Sequence, residues 1–417
     1  MKNYRNAVAV IFATVLTMAL NAQEFNINFE HNAKWKKVLK RAKKENKPIF
    51  VDCYTTWCGP CKILAREVFT QESVASFFNE NFISVKMDME KGEGIALKNE
   101  WEVKAFPTLL YFNSEGEIVH RIVGSYGADE FLTYSKMALD EDKMAANLQK
   151  RYDSGERGPD FMYNYLVSLR LGYMEDKEQE VAANYIKRLP KEDLLKEGNW
   201  NIIKNFLKNI NSDAFEYIVL NHSKLSEQVG AENVDAYIYK NISKQLVKWK
   251  YDVKTFTEEK EQKLIDLLQA ATYTKAPNLL SKVYAEKYIR EGKNNQYIDL
   301  VDNIVKLNVV SVDSNPASEI VNYANTVSSS FTDDVSLAKA LTWLQIAERR
   351  ETRVEHKVAI FEAKSKVLKK LGDKSESELA DLAAKKATKE AEAKGTVIRA
   401  IPAMKMTGGG MKPATKN

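Results

Sequence analysis

At 417 residues the chain has room for two or three domains, and a hydrophobic content of 44% supplies enough apolar surface for packed cores. Its net charge is +5 from 62 basic and 57 acidic residues; setting aside Lys2 and Arg5 at the start of the chain leaves +3. That balance is a mixed, solvated surface and excludes the basic footprint of a nucleic-acid binder. Residues 1–22 read as a secretory signal peptide. Lys2 and Arg5 give the positive start, residues 7–20 an apolar stretch, and Ala22 a small residue at a cleavage position before Gln23. The stretch is short for a membrane span of about 20 apolar residues. No cysteine follows it to carry a lipid, and no later segment is apolar for long enough to insert stably. The expected product is an exported protein of the bacterial periplasm.

Residues 34–44 place a basic cluster on a helix whose apolar face is Trp35, Val38, Leu39 and Ala42, so the charges read as a solvated outer face. Residues 47–54, a short apolar run introduced by Pro48, read as a buried strand. Trp57-Cys58-Gly59-Pro60-Cys61-Lys62 follows, with Asp52 six residues ahead of Cys58, and it holds two of the chain's three cysteines. Cys-x-x-Cys spacing lets one thiolate attack an outside disulfide while the other resolves the mixed intermediate. Half of a zinc site is the weaker reading, because there is no second Cys-x-x-Cys and His31 is not at ligand spacing. Residues 61–69 suit a helix with Ile63, Leu64 and Val68 on its apolar side. Cys58 then falls where a strand gives way to a helix N-terminus, and free backbone N–H groups with the positive end of the helix dipole favour a thiolate there. Cys58 is the expected nucleophile and Cys61 the resolving thiol.

Other residues near this motif admit two readings each from the residues alone. Asp52 is a buried acid or a strand-end turn residue; Lys86, within 82–88, is its partner or a solvated strand lysine. Pro107, within 105–112, fits a trans edge-strand proline as well as a special turn. Trp57 is a rim or plain core, and Cys53 reads as a buried apolar thiol.

Trp-Cys-Gly-Pro-Cys-Lys, with Asp52 ahead of it and Phe106-Pro107-Thr108 behind, resembles the thioredoxin family over residues 30–140, about a third of the chain. The resemblance implies that Asp52 is a buried carboxylate beneath the cysteines, accepting the proton of the resolving thiol, and that Lys86 neighbours it. It implies that Pro107 is a cis-proline against the disulfide and that Trp57, Gly59, Pro60, Phe106 and Gly124 border a substrate groove. The insert at 89–94 is similar to that of the periplasmic module of membrane thiol-reductant transporters. Cys53 departs from the family, which usually has an apolar residue there.

Residues 152–159 form the clearest break in the chain, with two glycines and a proline. Amphipathic helical patterns follow one another beyond it. The most regular are 335–349, with Ala338, Leu341, Leu344 and Ile346 as core candidates, and 356–371, with Ala359, Ile360, Ala363, Val367 and Leu368. Residues 371–373 and the alanine-rich helix after them resemble one tetratricopeptide-like unit. From 395 onward the composition is that of a disordered tail. The expected fold is an α/β thioredoxin-like domain, a central mixed sheet flanked by helices, over residues 23–150. A linker at 151–160 and an all-α helical-array domain at 161–394 complete it. The expected function is reduction of protein disulfides by a Cys58/Cys61 dithiol, with no cofactor or metal. The expected partners are disulfide-containing proteins and a membrane thiol-reductant donor, with no nucleic acid. The alternative is a partner-binding or chaperone-like module in which redox chemistry is secondary.

Overall fold

The computed structural model describes residues 25–307 and 316–394; the leader at 1–22 and the tail from 395 lie outside the described residues. The chain divides into two compact units, Met1–Leu207 and Lys208–Asn417.

The first unit is built on a five-stranded sheet. In chain order it comprises β1 (Glu30–His31), α1 (Trp35–Glu45), β2 (Ile49–Tyr54) and α2 (Gly59–Ile63), which continues as a wider turn through Leu64–Val68. Then come α3 (Glu72–Asn81), β3 (Ile83–Asp88), α4 (Gly94–Glu100), β4 (Thr108–Phe112), β5 (Ile118–Val123) and α5 (Ala128–Lys136). The sheet order is β1-β3-β2-β4-β5, with β1 and β2 parallel to β3, and β4 antiparallel to both β2 and β5. A strand in the middle of such a sheet is covered on both faces, which suits the near-continuous apolar run of β2. Alternation along β2 sends Phe50 to one layer, among Leu64, Phe69, Phe78, Tyr111 and Phe131. Ile49, Val51 and Cys53 go to the other, among Val38, Val85, Leu97, Trp101 and Leu110. Gly94 opens α4 where an added Cβ would lie 2.0 Å from the Asp88 carbonyl oxygen, so that close approach requires glycine.

Among the described residues, four further α-helices belong to this unit: α6 (Ala145–Asp153), α7 (Pro159–Leu171), α8 (Glu175–Arg188) and α9 (Glu197–Phe206). Helices α6 and α7 pack against β5, and Leu171 joins the Phe50 layer. The glycine- and proline-rich break at 152–159 is therefore a turn between α6 and α7 inside the unit, and the division of the chain falls after Leu207. Turn chemistry marks where a helix stops; it carries no information about which core the next helix joins.

In the second unit ten α-helices run from Asp213–Leu220 to Lys374–Ala393 among the described residues. One apolar cluster draws Val301, Ile320, Ala324, Leu337, Trp343, Leu344, Ile360, Ala363 and Val367 from four of them. On Asp334–Arg350 the buried stripe is Leu337, Ala340, Trp343, Leu344 and Ala347. Ala338, expected in the core, is exposed, and Leu341 and Ile346 are half-buried. The Trp343 indole sets that rotation: it is fully buried and its Nε1–H donates to Asp302 Oδ1 at 3.1 Å. On Val354–Lys370, Ile360, Ala363, Val367 and Leu368 are buried and Ala359 half-buried.

Candidate functional site

The site gathers at the end of the sheet where β2 and β3 finish and β4 begins. The β2–β3 register pairs Asp52 with Lys86, and the β2–β4 register pairs Cys53 with Thr108. The loop at 55–57 leaves β2 and delivers Cys58 to the N-cap of α2, with Pro60 in the first turn, where its missing N–H removes no helix bond. The Cys61 N–H donates to Cys58 Sγ at 3.1 Å. Cys58 and Cys61 are joined in a disulfide and both are buried. A sulfur in that position receives a backbone N–H and the helix dipole, which together lower the energy of a thiolate.

Asp52 is 1% exposed, and its Oδ2 accepts from Lys86 Nζ at 2.8 Å while Oδ1 has no hydrogen-bond partner among the described residues. Burial pushes the carboxyl up from its ordinary range, and the charge and hydrogen bond of Lys86 work against that rise. Lys86 Nζ also lies over three rings, 5.0 Å from the centre of Tyr54 and 5.4 Å from those of Phe29 and Phe69. Strand alternation puts Cys53 on the opposite side of β2 from Asp52, and burial holds its thiol well above the usual range, so it is poorly suited to act as a thiolate.

The rim is aromatic. Trp57 is 65% exposed; its ring meets Phe106 edge-on at 6.0 Å and its Nε1–H donates to both Glu90 carboxylate oxygens at 3.0 and 3.1 Å. Lys98 Nζ lies over the other partner, Phe106, at 5.4 Å. The Phe106–Pro107 peptide is cis, and the Pro107 carbonyl accepts from Gly124 N–H at 2.9 Å. Gly124 has φ +109°, a conformation that favours glycine. Around Gly59 there is open space, so its small size is not demanded by packing. A cavity of about 320 Å³ lined by Arg151, Glu156 and Phe161 involves α6 and α7 and none of these residues.

The structure thus brings Asp52 to Lys86, Cys58 to Cys61, Trp57 to Phe106, and Pro107 to Gly124. Glu90 and the rings of Phe29, Tyr54 and Phe69 were not foreseen as site residues. Glu90 lies in the 89–94 insert, whose charge was its only signal. Tyr54 and Phe69 read as plain strand and helix residues, and nothing before residue 30 drew attention to Phe29.

The model of the thioredoxin-like domain matches residues 35–138. A thioredoxin-like protein of Synechocystis is 36% identical over 86 residues, covering 21% of this chain and 76% of that protein. Rice chloroplastic thioredoxin Y is 34% identical over 24% of this chain; the match spans 56% of the rice protein, about half its length. Among solved structures, a protein from Bacteroides thetaiotaomicron proposed as a disulphide isomerase is 49% identical over 28% of this chain and 98% of that chain, with a TM-score of 0.27. With the Cys58–Cys61 pair at the end of a mixed sheet and these sequence matches across its N-terminal part, the chain belongs to the thioredoxin family.

Proposed function

We propose that this protein is an exported thiol–disulfide oxidoreductase that reduces disulfides in other proteins. The observation that carries the reading is Cys58 Sγ at the helix N-cap, receiving the Cys61 N–H, with buried Asp52 on the strand that leads into it. In the reduced enzyme the Cys58 thiolate attacks one sulfur of a substrate disulfide and releases the other as a thiolate. Cys61 then loses its proton to Asp52 and attacks Cys58 Sγ. The Cys58–Cys61 disulfide forms, the second substrate thiolate leaves, and the substrate has gained two electrons. A carboxyl whose pKa is raised by burial has a greater affinity for a proton, which suits Asp52 to accept one from the resolving thiol. The charge and hydrogen bond of Lys86 oppose that rise. The exposed Trp57 edge, Phe106 and the Pro107–Gly124 backbone would border the substrate chain.

The disulfide left after each cycle has to be reduced again. For an enzyme exported through the leader at 1–22, we assign that step to a membrane thiol-reductant donor. No helix among the described residues is long and apolar enough to cross a membrane. The reading is tested by trapping. A Cys61→Ser chain, expressed with its leader, should accumulate Cys58-linked mixed disulfides with exported proteins, and the recovered mature chain should begin at Gln23. Absence of such adducts, with the variant folded and exported, would refute it.

A further inference from the structure

We propose that Phe29, Tyr54 and Phe69 form an aromatic cage that holds the Lys86 ammonium on Asp52, which makes these rings positioning residues for the proton-transfer step. The inference rests on the function proposed above and adds to it the means by which the Lys86 charge is kept in place. A lysine reaching from a strand has four rotatable bonds and loses substantial rotamer freedom when fixed. The Lys86 side chain is 14% exposed, so water is within reach of its head group. Among the described residues, one hydrogen bond at 2.8 Å to Oδ2 is its only polar contact, and Oδ1 has no hydrogen-bond partner. Three ring faces at 5.0 to 5.4 Å are within the range at which the quadrupole of an aromatic ring attracts a cation.

The rings come from three separate places and are tied there by the backbone. Tyr54 ends β2. Phe69 follows α2 and its carbonyl accepts from the Ile27 N–H at 3.2 Å. Phe29 stands just ahead of β1, which pairs Glu30 with Val85 and His31 with Lys86 itself. Phe29 and Phe69 meet with ring centres 5.3 Å apart. The segment at 27–31 is therefore fastened on both sides of the lysine it covers. The titratable groups facing the pair are few. Tyr54 is in the cage, His31 lies beside Phe29 at 6.5 Å, and the Cys53 thiol and Tyr111 hydroxyl sense the Asp52 charge from β2 and β4. Neither Cys58 nor Cys61 titrates while they form a disulfide.

A cage that fixes the cation lowers the carboxyl's affinity for a proton; loosening it should raise the Asp52 titration midpoint. The test follows the Asp52 carboxyl carbon by NMR against pH in the oxidised full-length protein, where coupling to the thiols is removed. Lys86→Met should shift the midpoint upward most. Tyr54→Leu and Phe29→Leu, both at half-buried positions, should shift it upward by less, whereas Tyr54→Phe and Phe29→Tyr, which keep the ring, should leave it in place. In a Lys86→Met background the ring losses should add nothing. In the reduced enzyme, below the midpoint, each ring loss should slow mixed-disulfide resolution on the order of two- to fivefold, the worth of a partly exposed cation–π contact. Unchanged midpoints in both leucine variants, or shifts that persist without Lys86, would overturn the cage while leaving the proton-acceptor role intact. An Asp52→Asn enzyme that resolves mixed disulfides at the wild-type rate would instead overturn that role, and the positioning function with it. If Tyr54→Leu fails to fold, Phe29→Leu decides.

Discussion

The protein buries its carboxylates in two ways, and only the first unit shows both. In the second, Asp235, Glu261 and Glu351 are the buried acids among the described residues, and each has a partner on both oxygens. Asp235 meets His222 and Lys275, Glu261 meets Arg290 and Lys287, and Glu351 meets His356, Arg353 and the backbone N–H groups of Thr352 and Arg353. Burial alone would raise Glu351, yet those hydrogen bonds bring its pKa down to about 2. In the first unit Asp88, held by Lys91 and the Glu90 N–H, and Glu178, held by Arg170, are satisfied in the same way, whereas Asp52 keeps one oxygen without a hydrogen bond among the described residues, and its carboxyl stays above the ordinary range. A fully satisfied acid holds helices together; an incompletely satisfied one retains affinity for a proton. The second condition is the one a proton acceptor needs.

The widest separation of the two regions should appear in activity. Cys58→Ser should lower insulin-disulfide reduction by roughly a thousandfold or more, as loss of a nucleophile does, with a melting temperature close to that of the reduced wild type. The converse variant, Lys287→Met with Arg290→Met, strands buried Glu261. It should lose about 3–5 kcal/mol of stability and leave insulin reduction at the wild-type rate. If that second-unit variant instead lowered activity while still folded, the division of roles would be wrong.

A pH experiment sharpens the contrast within the first unit. His120 on β5 is buried with neither ring nitrogen hydrogen-bonded among the described residues, and burial lowers its pKa from 6.5 to about 4. The native state binds fewer protons than the unfolded chain in that window, so stability should rise with pH between about 4 and 6.5. The gain is on the order of 3 kcal/mol, and His120→Gln should flatten it. Glu351 gives the second unit a lower window. Its depressed pKa adds stability that is complete above the ordinary 4.5 and lost as pH falls toward about 2. Separate acid transitions for the two units, monitored by urea unfolding at fixed pH values, would bear this out; one shared transition centred below pH 4 would not.

A smaller effect concerns where the first unit ends. A chain stopping after Leu207 should reduce insulin within about threefold of the full protein. A chain stopping at Asp153 loses α7 and with it Leu171 from the Phe50 layer, a truncation of the core worth about 2–4 kcal/mol. It should unfold at lower urea and aggregate more readily. Equal stability of the two shortened chains would move the boundary back to the break at 152–159.

Sequence alone exposed the parts of this architecture that depend on local chemistry. The strand at 47–54, the helix start at Cys58 and the Cys-x-x-Cys spacing are visible because a period, a cap and a pair of thiols are short-range patterns. Pairing of Asp52 with Lys86 across 34 residues came from resemblance, since a lysine on a strand fits solvent equally well. Three features stayed hidden for a common reason: they depend on which distant element arrives. Phe29 reaches Lys86 only because β1 joins the edge of β3. Leu171 enters the Phe50 layer only because α7 packs on β5. Trp343 turns its helix so that Ala338 faces outward.

In the proposed reaction Cys58, poised at a helix N-terminus, is the thiolate that starts the exchange. The most direct test of that role is alkylation of the fully reduced protein by iodoacetamide across pH, with the labelled cysteine identified by mass spectrometry. Cys58 should be modified first, with a rate midpoint below that of a free cysteine thiol, while Cys53 stays unlabelled in the folded protein. Faster labelling of Cys61, or a Cys58 midpoint equal to that of a free thiol, would contradict it.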